Sequence, residues 1–255
     1  DVYKRQGPGD EDLITLKAVK AISSADVILY DALVNDALLK HASPSAELIF
    51  VGKRKGCYAY QQNQINDLIV ERAHRCGHVV RLKGGDPFIF GRGAEELEYA
   101  KAYAIEVAVV PGISSCAAVP AYQGIPLTKR NTSESFWVIT GTTKSHQISG
   151  DIAIAAKSTA TVVILMGMGK LSEIVQIFSN EGKSETAVAI IQNGTRANEK
   201  IGIGTVGTIE SIVESEQLSN PAIIVIGEVV NQRVDLSNIY AQSDLAMTAS
   251  RRQIA

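Results

Sequence analysis

Short apolar runs alternate with longer amphipathic segments along this chain, and the alternation limits the folds open to it. In the first half, the runs at 25–31, 46–52, 77–85 and 105–112 are rich in Val and Ile and end in Asp, Gly or Pro. Between them, apolar residues recur at spacings of three and four, which predicts helices. Strands of this kind are buried on both faces, so the pattern predicts an α/β fold with a largely parallel sheet.

A second alternation follows a stretch of different texture. Residues 113–135 are rich in small residues, Pro, Gly and Ser, with room for one short helix, which is typical of a connector between folded units. Strand-like runs then return at 136–142, 160–169, 185–195 and 221–230, with helical patterns among them. We therefore predict an N-terminal α/β domain over 1–112, a connector and C-terminal α/β domain over 113–235, and a poorly ordered polar tail over 236–255.

Composition narrows the class of protein. The formal net charge of the 255 residues is −2, which argues against a protein that binds nucleic acid through its overall field. The three cysteines, at 57, 76 and 116, form no C-x-x-C pair and cannot all pair within one chain, which favours a reducing, cytoplasmic setting. No apolar run is long enough to span a bilayer, and DVYKRQ at the start lacks an apolar signal core. We therefore expect a protein that is neither secreted nor embedded in a membrane.

Residues 81–96, RLKGGDPFIFGRGAEE, contain two glycine turns around an Asp-Pro pair. Glycine lets the backbone approach a ligand closely, so this stretch is typical of a ligand clamp as well as of a plain turn. Asp86 would oppose a phosphate, and a hydroxylated or cationic ligand fits better. The carboxyl ends of the other predicted strands carry Asp31, residues 52–54 and residues 111–112, and in the second half residues 166–167 and 193–195. Ligands bind at such carboxyl ends in open sheets, and two domains meeting there would form a cleft.

The motifs in this chain resemble those of the tetrapyrrole methylases, and within them the uroporphyrinogen-III C-methyltransferases. The resemblance rests on GPGDEDLITLKA (7–18), YDALV (30–34), VGKRKG (51–56), QINDLIVERA (64–73), RLKGGDPFIFGRGAEE (81–96), VVPGISSCAAVPAYQGIPLTKR (109–130), LMGMGK (165–170), QNGT (192–195) and PAIIVIGEVV (221–230). It implies a homodimer of two-domain α/β chains with S-adenosylmethionine in the interdomain cleft. The implied reaction methylates two pyrrole carbons of uroporphyrinogen III, through precorrin-1, to precorrin-2.

The resemblance also implies residue roles. The residues expected to contact S-adenosylmethionine are Pro8, Gly84, Gly85, Asp86, Ile89, Ser114, Ser115, Met166 and Gly194. Asp31 corresponds to a proton acceptor and Lys53 to a proton donor. From the residues alone, Asp31 could instead N-cap a helix begun by ALVNDALL, and Lys53 could be a surface charge.

A local rim of basic residues flanks the same loops. Guanidinium groups suit carboxylates, and the implied substrate is rich in them, so the candidates for substrate binding are Arg54, Arg81, Arg92, Lys129 and Arg130. A sister methylase acting on a later corrin precursor, or a catalytically weakened ligand-binding homologue, are the alternatives.

Several features depart from the family pattern or compete with it. In the family, an apolar strand ending in small residues leads into GPGD, whereas this chain has DVYKRQ there. Lys129 stands where the family usually has His, and TGTTK at 140–144 stands where the family usually has Thr-Gly-His. GIGTVG at 202–207 matches a dinucleotide motif but follows only a very short strand. HRCGH at 74–78 has two His and one Cys but no fourth ligand nearby, so we expect no metal.

Overall fold

The computed structural model describes residues 8–52, 60–234 and 236. In the first half, the helices are α1 (Leu16–Ser23), α2 (Gln62–Cys76) and α3 (Gly93–Ala102), and the strands are β1 (Val27–Tyr30), β2 (Glu47–Phe50) and β3 (Val79–Leu82). Short 3-10 helices lie at Glu11–Leu13 and Asp36–His41. The strands form a parallel sheet in the order β2-β1-β3, as the apolar runs predicted.

Side-chain alternation along the first sheet builds two small cores. Ile28 and Leu82 pack on one face with Ile22 of α1, whereas Val27 and Leu29 pack on the other face with Ile65 of α2. Successive strand residues point to opposite faces, so the central strand β1 buries side chains on both sides. Gly77 ends α2 with φ +102, as the sequence predicted for a helix C-cap.

One predicted strand of the first half is wrong. Residues 105–112 form neither a helix nor a strand, and they line a cavity. Among the described residues, no strand lies between β3 and this segment. A strand needs a hydrogen-bonded neighbour, so an apolar run without one forms no sheet.

In the second half, the helices are α4 (Ser115–Tyr122), α5 (Asp151–Ala155), α6 (Leu171–Asn180) and α7 (Ile209–Ser215). The strands are β4 (Phe136–Thr140), β5 (Thr161–Leu165), β6 (Ala187–Gln192), β7 (Lys200–Thr205) and β8 (Ala222–Ile226), in the order β4-β5-β8-β6-β7. Further 3-10 helices lie at Met168–Lys170 and Glu228–Gln232.

The second sheet corrects the prediction of a largely parallel arrangement. Only the β4–β5 pair is parallel, whereas β8 runs antiparallel to β5 and β6, and β7 runs antiparallel to β6. The short connection at 193–199 allows the β6–β7 hairpin, since antiparallel neighbours need no long crossover. Strands buried on both faces carry the same apolar composition in either direction.

The segment 113–135 is more than a connector. It contains the predicted short helix, α4, and Val119 of that helix is fully buried with Ile125, Ile191 and Val225. The segment therefore belongs to the second core. The sheets lie on either side of residue 112, and the domain boundary placed there stays a prediction. No helix within the described ranges is both long and apolar enough to cross a membrane.

Candidate active site

The two halves meet where a loop after Pro8 contacts the turn after β6. The Gly9 N–H donates to the Gly194 carbonyl at 3.2 Å and to Thr195 Oγ1 at 2.6 Å, and the Asp10 N–H donates to the same hydroxyl at 2.9 Å. Thr195 is buried, with 8% of its surface exposed. Sequence reasoning placed Pro8 and Gly194 in one site but missed Thr195, which joins their two loops.

Glu199 stabilises this junction through hydrogen bonds to the Thr195 backbone and to Gln123. Its Oε2 accepts a hydrogen bond from the Thr195 N–H at 2.6 Å, and its Oε1 accepts one from the Gln123 side chain. Burial raises the pKa of the Glu199 carboxyl above its ordinary value, although these hydrogen bonds act in the opposite direction. Glu199 is four residues from Thr195 at the start of β7, and no signal in the sequence marked it.

The loop after β3 folds back on the segment before α4. Gly85 has φ +80, and a Cβ on Gly112 would lie 2.4 Å from the Gly85 carbonyl oxygen, so both positions need glycine. Asp86 fixes this approach because its Oδ1 accepts from the Phe88 N–H at 2.8 Å and its Oδ2 accepts from the Gly112 N–H at 3.0 Å. The Asp86 carboxylate, which the sequence analysis expected to contact a ligand, accepts hydrogen bonds from two backbone N–H groups in this structure.

Most of the predicted cofactor residues surround one small pocket between the two halves. They are Gly84, Gly85, Asp86, Ile89, Ser114, Ser115 and Met166. Pro8 lines a larger neighbouring cavity together with Gly84 and Gly85. The pocket measures about 30 Å³, comparable with one water molecule, so a nucleoside would lie across its mouth. Ile89 is 40% exposed at that mouth.

The loops around this pocket are conformationally strained. Phe90 (φ +50), Arg92 (φ +56), Met166 (φ +58), Asn193 (φ +52) and Thr195 (φ +63) all adopt the left-handed region without being glycine. Such residues cluster at ligand clamps, where the surrounding structure holds them. Among the described residues, five of the nine non-glycine residues with positive φ therefore lie in loops that the resemblance assigned to the cofactor; the other four are Ala104, Asn131, His146 and Gln217.

Asp31 follows β1 and is held on both carboxylate oxygens. Oδ1 accepts from the Leu33 N–H at 3.1 Å, and Oδ2 accepts from the Arg81 guanidinium at 3.1 Å. The alternative of a helix cap is wrong, because Asn35 caps the 3-10 helix and its Oδ1 accepts from the Ala37 N–H. Asp31 is 22% exposed in its side chain and therefore reachable from solvent.

Arg81 belongs to a buried charge cluster. Its guanidinium donates to the carbonyls of Leu29 and Leu82 as well as to Asp31, and its Nε lies 3.4 Å from Glu96 Oε1 without hydrogen-bond geometry. Glu96, 6% exposed on α3, also accepts from Lys83 Nζ at 2.9 Å. Burial lowers the pKa of Lys83 despite this partner. Arg81 and Lys83 are two apart, a spacing that puts two cations on one strand face, and this was the available signal for a buried carboxylate.

The remaining basic candidates that the structure describes lie apart from this cluster. Arg92 is exposed and donates to Glu95 at distances down to 2.5 Å. Lys129 is exposed and donates to the Gln232 side chain, and Arg130 next to it is exposed. Lys53 and Arg54 lie outside the described residues.

The competing motifs form no ligand site in the described chain. Residues 202–207 begin inside β7, paired antiparallel with β6, and a Cβ on Gly202 would meet the side chains of Leu218 and Ile212. Because Gly202 and Gly204 have no side chains, Ile212 of α7 can pack directly against β7. His78 contacts Ser24 and Asp26, and within the described ranges no three His, Cys, Asp or Glu side chains gather to hold a metal.

The fold and the loop cluster define a class of protein. The family model of the tetrapyrrole (corrin/porphyrin) methylases matches residues 6–210. The chain belongs to this family.

Curated relatives share nearly half of its residues. It is 46% identical over 227 residues to the uroporphyrinogen-III C-methyltransferase of Methanocaldococcus jannaschii, which covers 88% of this chain and 94% of that protein. It is 47% identical over 229 residues to the enzyme of the same name from Priestia megaterium, covering 88% and 95%. A siroheme synthase of Actinobacillus pleuropneumoniae is 44% identical, and there the match covers 91% of this chain and 47% of that protein.

Solved structures agree with the fold. The uroporphyrin-III C-methyl transferase of Thermus thermophilus, complexed with S-adenyl homocysteine, superposes with a TM-score of 0.75 at 32% identity, covering 88% of this chain and 95% of that one. A cobalt precorrin-4 methyltransferase gives a TM-score of 0.78 at 26% identity, covering 88% and 92%.

Proposed function

We propose that this chain transfers methyl groups from S-adenosylmethionine to two pyrrole carbons of uroporphyrinogen III, giving precorrin-2. The observation that carries the proposal is the gathering of predicted cofactor residues around one pocket at the junction of the two halves. Relatives that are 46% and 47% identical over most of their length bear the name of this activity.

The chemistry of the pocket fits S-adenosylmethionine. Among the described lining residues are small and apolar side chains, two serines and one carboxylate, with no lysine or arginine for a phosphate. The backbone turn at Gly85 and Gly112 and the apolar side chain of Ile89 would hold the nucleoside, and Asp86 would orient the turn through the Gly112 N–H. When bound, the cofactor supplies an electrophilic methyl group.

Asp31 is the residue that we assign to proton removal. After a pyrrole carbon gains a methyl group, a proton must leave the macrocycle for the product to be neutral, and a carboxylate at the edge of the cleft can accept it. Arg81 fixes one oxygen of Asp31 and the Leu33 N–H fixes the other, so the carboxylate is positioned before the substrate arrives. We assign Lys53 to proton donation, and Arg54, Arg92, Lys129 and Arg130 to the carboxylates of the substrate.

Homodimerisation and a cytoplasmic location are parts of the same proposal. Large apolar side chains are exposed on both edge strands of the second sheet, with Phe136 on β4 44% exposed and Ile203 on β7 41% exposed. Light scattering of the purified chain should give twice the mass of 27.3 kDa. A monomer at micromolar concentration would contradict this part alone.

A turnover assay tests the activity. The purified chain is incubated anaerobically with S-adenosylmethionine that carries a deuterated methyl group and with uroporphyrinogen III, and the product is examined by mass spectrometry. Two labelled methyl groups per macrocycle are expected. Binding of the cofactor without transfer would identify a ligand-binding homologue.

The resemblance in fold to a cobalt precorrin-4 methyltransferase favours one alternative, a sister methylase. Methyl transfer to a later corrin precursor, with none to uroporphyrinogen III, would support that alternative against the proposal.

A further inference from the structure

Four ionisable side chains alternate in charge from Asp31 into the interior of the first half. The Arg81 guanidinium donates to Asp31 Oδ2 at 3.1 Å, and its Nε lies 3.4 Å from Glu96 Oε1. Lys83 Nζ donates to both carboxylate oxygens of Glu96, at 2.9 and 3.0 Å. We call these four residues the ion network. Within it, Arg81 lies between two carboxylates and Glu96 lies between two cations.

Asp31 is the member of the ion network that is most open to solvent. The side chains of Arg81, Lys83 and Glu96 are at most 13% exposed, against 22% for Asp31. Charges that water screens so little act on one another more strongly than surface charges do. Burial and the charge of Arg81 lower the pKa of Lys83, whereas the Glu96 and Asp31 carboxylates act in the opposite direction. The charge of Asp31 therefore acts on the network as far as Lys83.

Hydrogen bonds do not satisfy the whole Arg81 guanidinium. One terminal nitrogen donates to the Leu29 and Leu82 carbonyls and the other to Asp31, but the buried Nε has no hydrogen-bond partner among the described residues. Burying a charged donor in this way is unfavourable unless an anion lies close by. Glu96, at 3.4 Å from Nε, is such an anion.

The charge balance of the ion network changes when Asp31 accepts a proton. In the proposed reaction, a C–H bond of the methylated macrocycle breaks, its electrons return to the cationic pyrrole ring, and an O–H bond forms on Asp31. The two cations then lose one of the two carboxylates that offset them. Glu96 is the carboxylate that remains, so its negative charge favours the state in which Asp31 holds the proton.

We propose that Glu96 is a positioning residue for proton removal: it shares the Arg81 guanidinium with Asp31 and offsets the positive charge that would oppose protonation of Asp31. This inference rests on the proposed role of Asp31 in methyl transfer. Glu96 is itself held in place, because Gln62 Nε2 donates to its Oε1 at 3.1 Å in addition to the bonds from Lys83. Glu96 is not among the residues that line the small pocket, so the cofactor is bound without it.

Other charged groups border the two ends of the ion network. At the start of α3, Arg92 Nε donates to Glu95 at 3.0 Å. Beside the turn after β1, the Arg196 guanidinium donates to the Leu33 carbonyl at 3.3 Å. Lys53 lies outside the described residues. The test variants below leave all of these groups unchanged, so differences among the variants come from the ion network.

A titration of the free chain tests the inference without turnover. NMR follows the carboxyl signals of 13C-labelled aspartate against pH, and Asp31→Asn identifies the Asp31 signal. Glu96→Gln removes a negative charge and should lower the pH at which Asp31 is half-protonated by about 0.5 or more. Lys83→Met removes a positive charge and should raise it by about as much. The double variant should return close to the parent, and Glu98→Gln, exposed on the same helix, should match the parent.

Single-turnover methylation at saturating cofactor and substrate gives the second readout. In Glu96→Gln, the acid limb of the pH profile should move in the same direction as the NMR titration, and the rate should fall by about two- to threefold because a weaker base removes the proton more slowly. Adding Lys83→Met should restore part of that rate. Affinity for S-adenosylmethionine, measured by calorimetry, should stay within about twofold in all variants.

The direction of the NMR shifts decides the outcome. The inference is overturned if neither single variant moves the Asp31 titration, or if both move it in the same direction. If Glu96→Gln does not fold, Lys83→Met decides alone: a rise supports the inference and no change overturns it. Two methyl groups transferred by a chain whose Asp31 does not respond would contradict this inference only. The expected shifts in a chain that transfers none would contradict the proposed function, while the coupling between Glu96 and Asp31 would stand.

Discussion

Asp31 has two roles that a substitution can separate. Its Oδ1 holds the turn after β1 through Leu33, and its Oδ2 faces Arg81. An amide keeps the first contact when its oxygen accepts from the Leu33 N–H, and it then presents its NH2 group, a donor, to the Arg81 guanidinium. Asp31→Asn should therefore change proton transfer more than it changes the turn after β1.

Asp31→Asn should reduce kcat by about a hundred- to ten-thousandfold, the range typical of general acid–base catalysis. Affinity for S-adenosylmethionine should stay within about twofold, because Asp31 is not among the residues that line the small pocket. Single-turnover methylation at saturating cofactor measures the first quantity and calorimetry the second. Glu98→Gln, on the exposed face of α3, is the matched control. Full activity in folded Asp31→Asn would leave Asp31 only its role in the turn.

Gly85→Val should abolish cofactor binding while the second sheet stays folded. A β-branched side chain is strongly disfavoured at φ +80, and the close approach of Gly85 to Gly112 leaves the turn no room to adjust. Calorimetry measures binding, and circular dichroism measures the fold. Gly150→Ala, where a Cβ meets nothing within 4 Å, is the control and should bind normally. Unchanged affinity in Gly85→Val would remove this turn from the site.

Where a motif carried the prediction, as at Gly85, Asp86 and Met166, the residues line one pocket, and their contact with the cofactor stays a prediction. No motif marked Glu96 or Thr195, because a buried carboxylate or hydroxyl is defined by partners on other elements: Lys83 after β3 for Glu96, and Gly9 for Thr195. The two cations at Arg81 and Lys83 indicate that a carboxylate lies near them, but not which one. The helical pattern of α3 gives no sign that Glu96 faces the sheet.

At the scale of elements, local patterns predicted most helices and strands but not the pairing between strands. Residues 105–112 have the composition of a strand, and they form none because no described strand lies beside them. The second sheet shows the same limit: β6 and β8 are buried apolar strands whose composition does not distinguish antiparallel from parallel neighbours. The spacing of apolar residues along the chain does not determine which strands pair or in which direction, because pairing depends on the tertiary structure.

Replacing residues 2–6 by an apolar strand that ends in Gly-Ala should stabilise the chain. Two or three apolar side chains entering the cavity between β3 and residues 105–113 would raise the free energy of unfolding by about 2–5 kcal/mol, since burying each contributes about 1.5–3 kcal/mol before the entropic cost of ordering. Urea unfolding measures this change. Hydrogen exchange should show new protection at Val80 and at residues 107–110.

A Ser-rich replacement of the same length is the control for that experiment and should unfold like the parent chain. Equal stability of the apolar and Ser-rich versions would mean that the cavity beside β3 does not accept a strand from this end.

At the scale of the whole molecule, the Thr195 side chain is one of the contacts that join the two halves at the candidate site, together with Arg196, which donates to the Leu33 carbonyl. Thr195→Val keeps the shape of the side chain but removes the oxygen that accepts from Gly9 and Asp10. Loss of this acceptor should destabilise the chain by about 1–3 kcal/mol, because the Asp10 N–H loses its partner. It should also weaken S-adenosylmethionine binding by loosening the loop after Pro8. Thr195→Ser, which keeps the oxygen, should restore both properties. If Ser and Val variants behave alike, the contact does not couple the halves.

Glu199 makes the same junction sensitive to pH. Burial raises its pKa above the ordinary 4.5, so between these two values the folded chain binds more protons than the unfolded chain. The contribution of Glu199 to stability is therefore complete below about pH 4.5 and is lost as the pH rises through the folded pKa.

Glu199→Gln does not titrate, and comparing it with the parent chain by urea unfolding between pH 4 and pH 7 cancels the effects of the other acids. The free energy of unfolding of the parent, relative to the variant, should fall with rising pH by up to about 1.4 kcal/mol per unit in that window. Glu214→Gln, on the exposed side of α7, should show no such trend. A relative stability that rises with pH would mean that the hydrogen bonds from Thr195 and Gln123 outweigh the burial of the charge, so that the ionised carboxylate is the form that holds the two halves together.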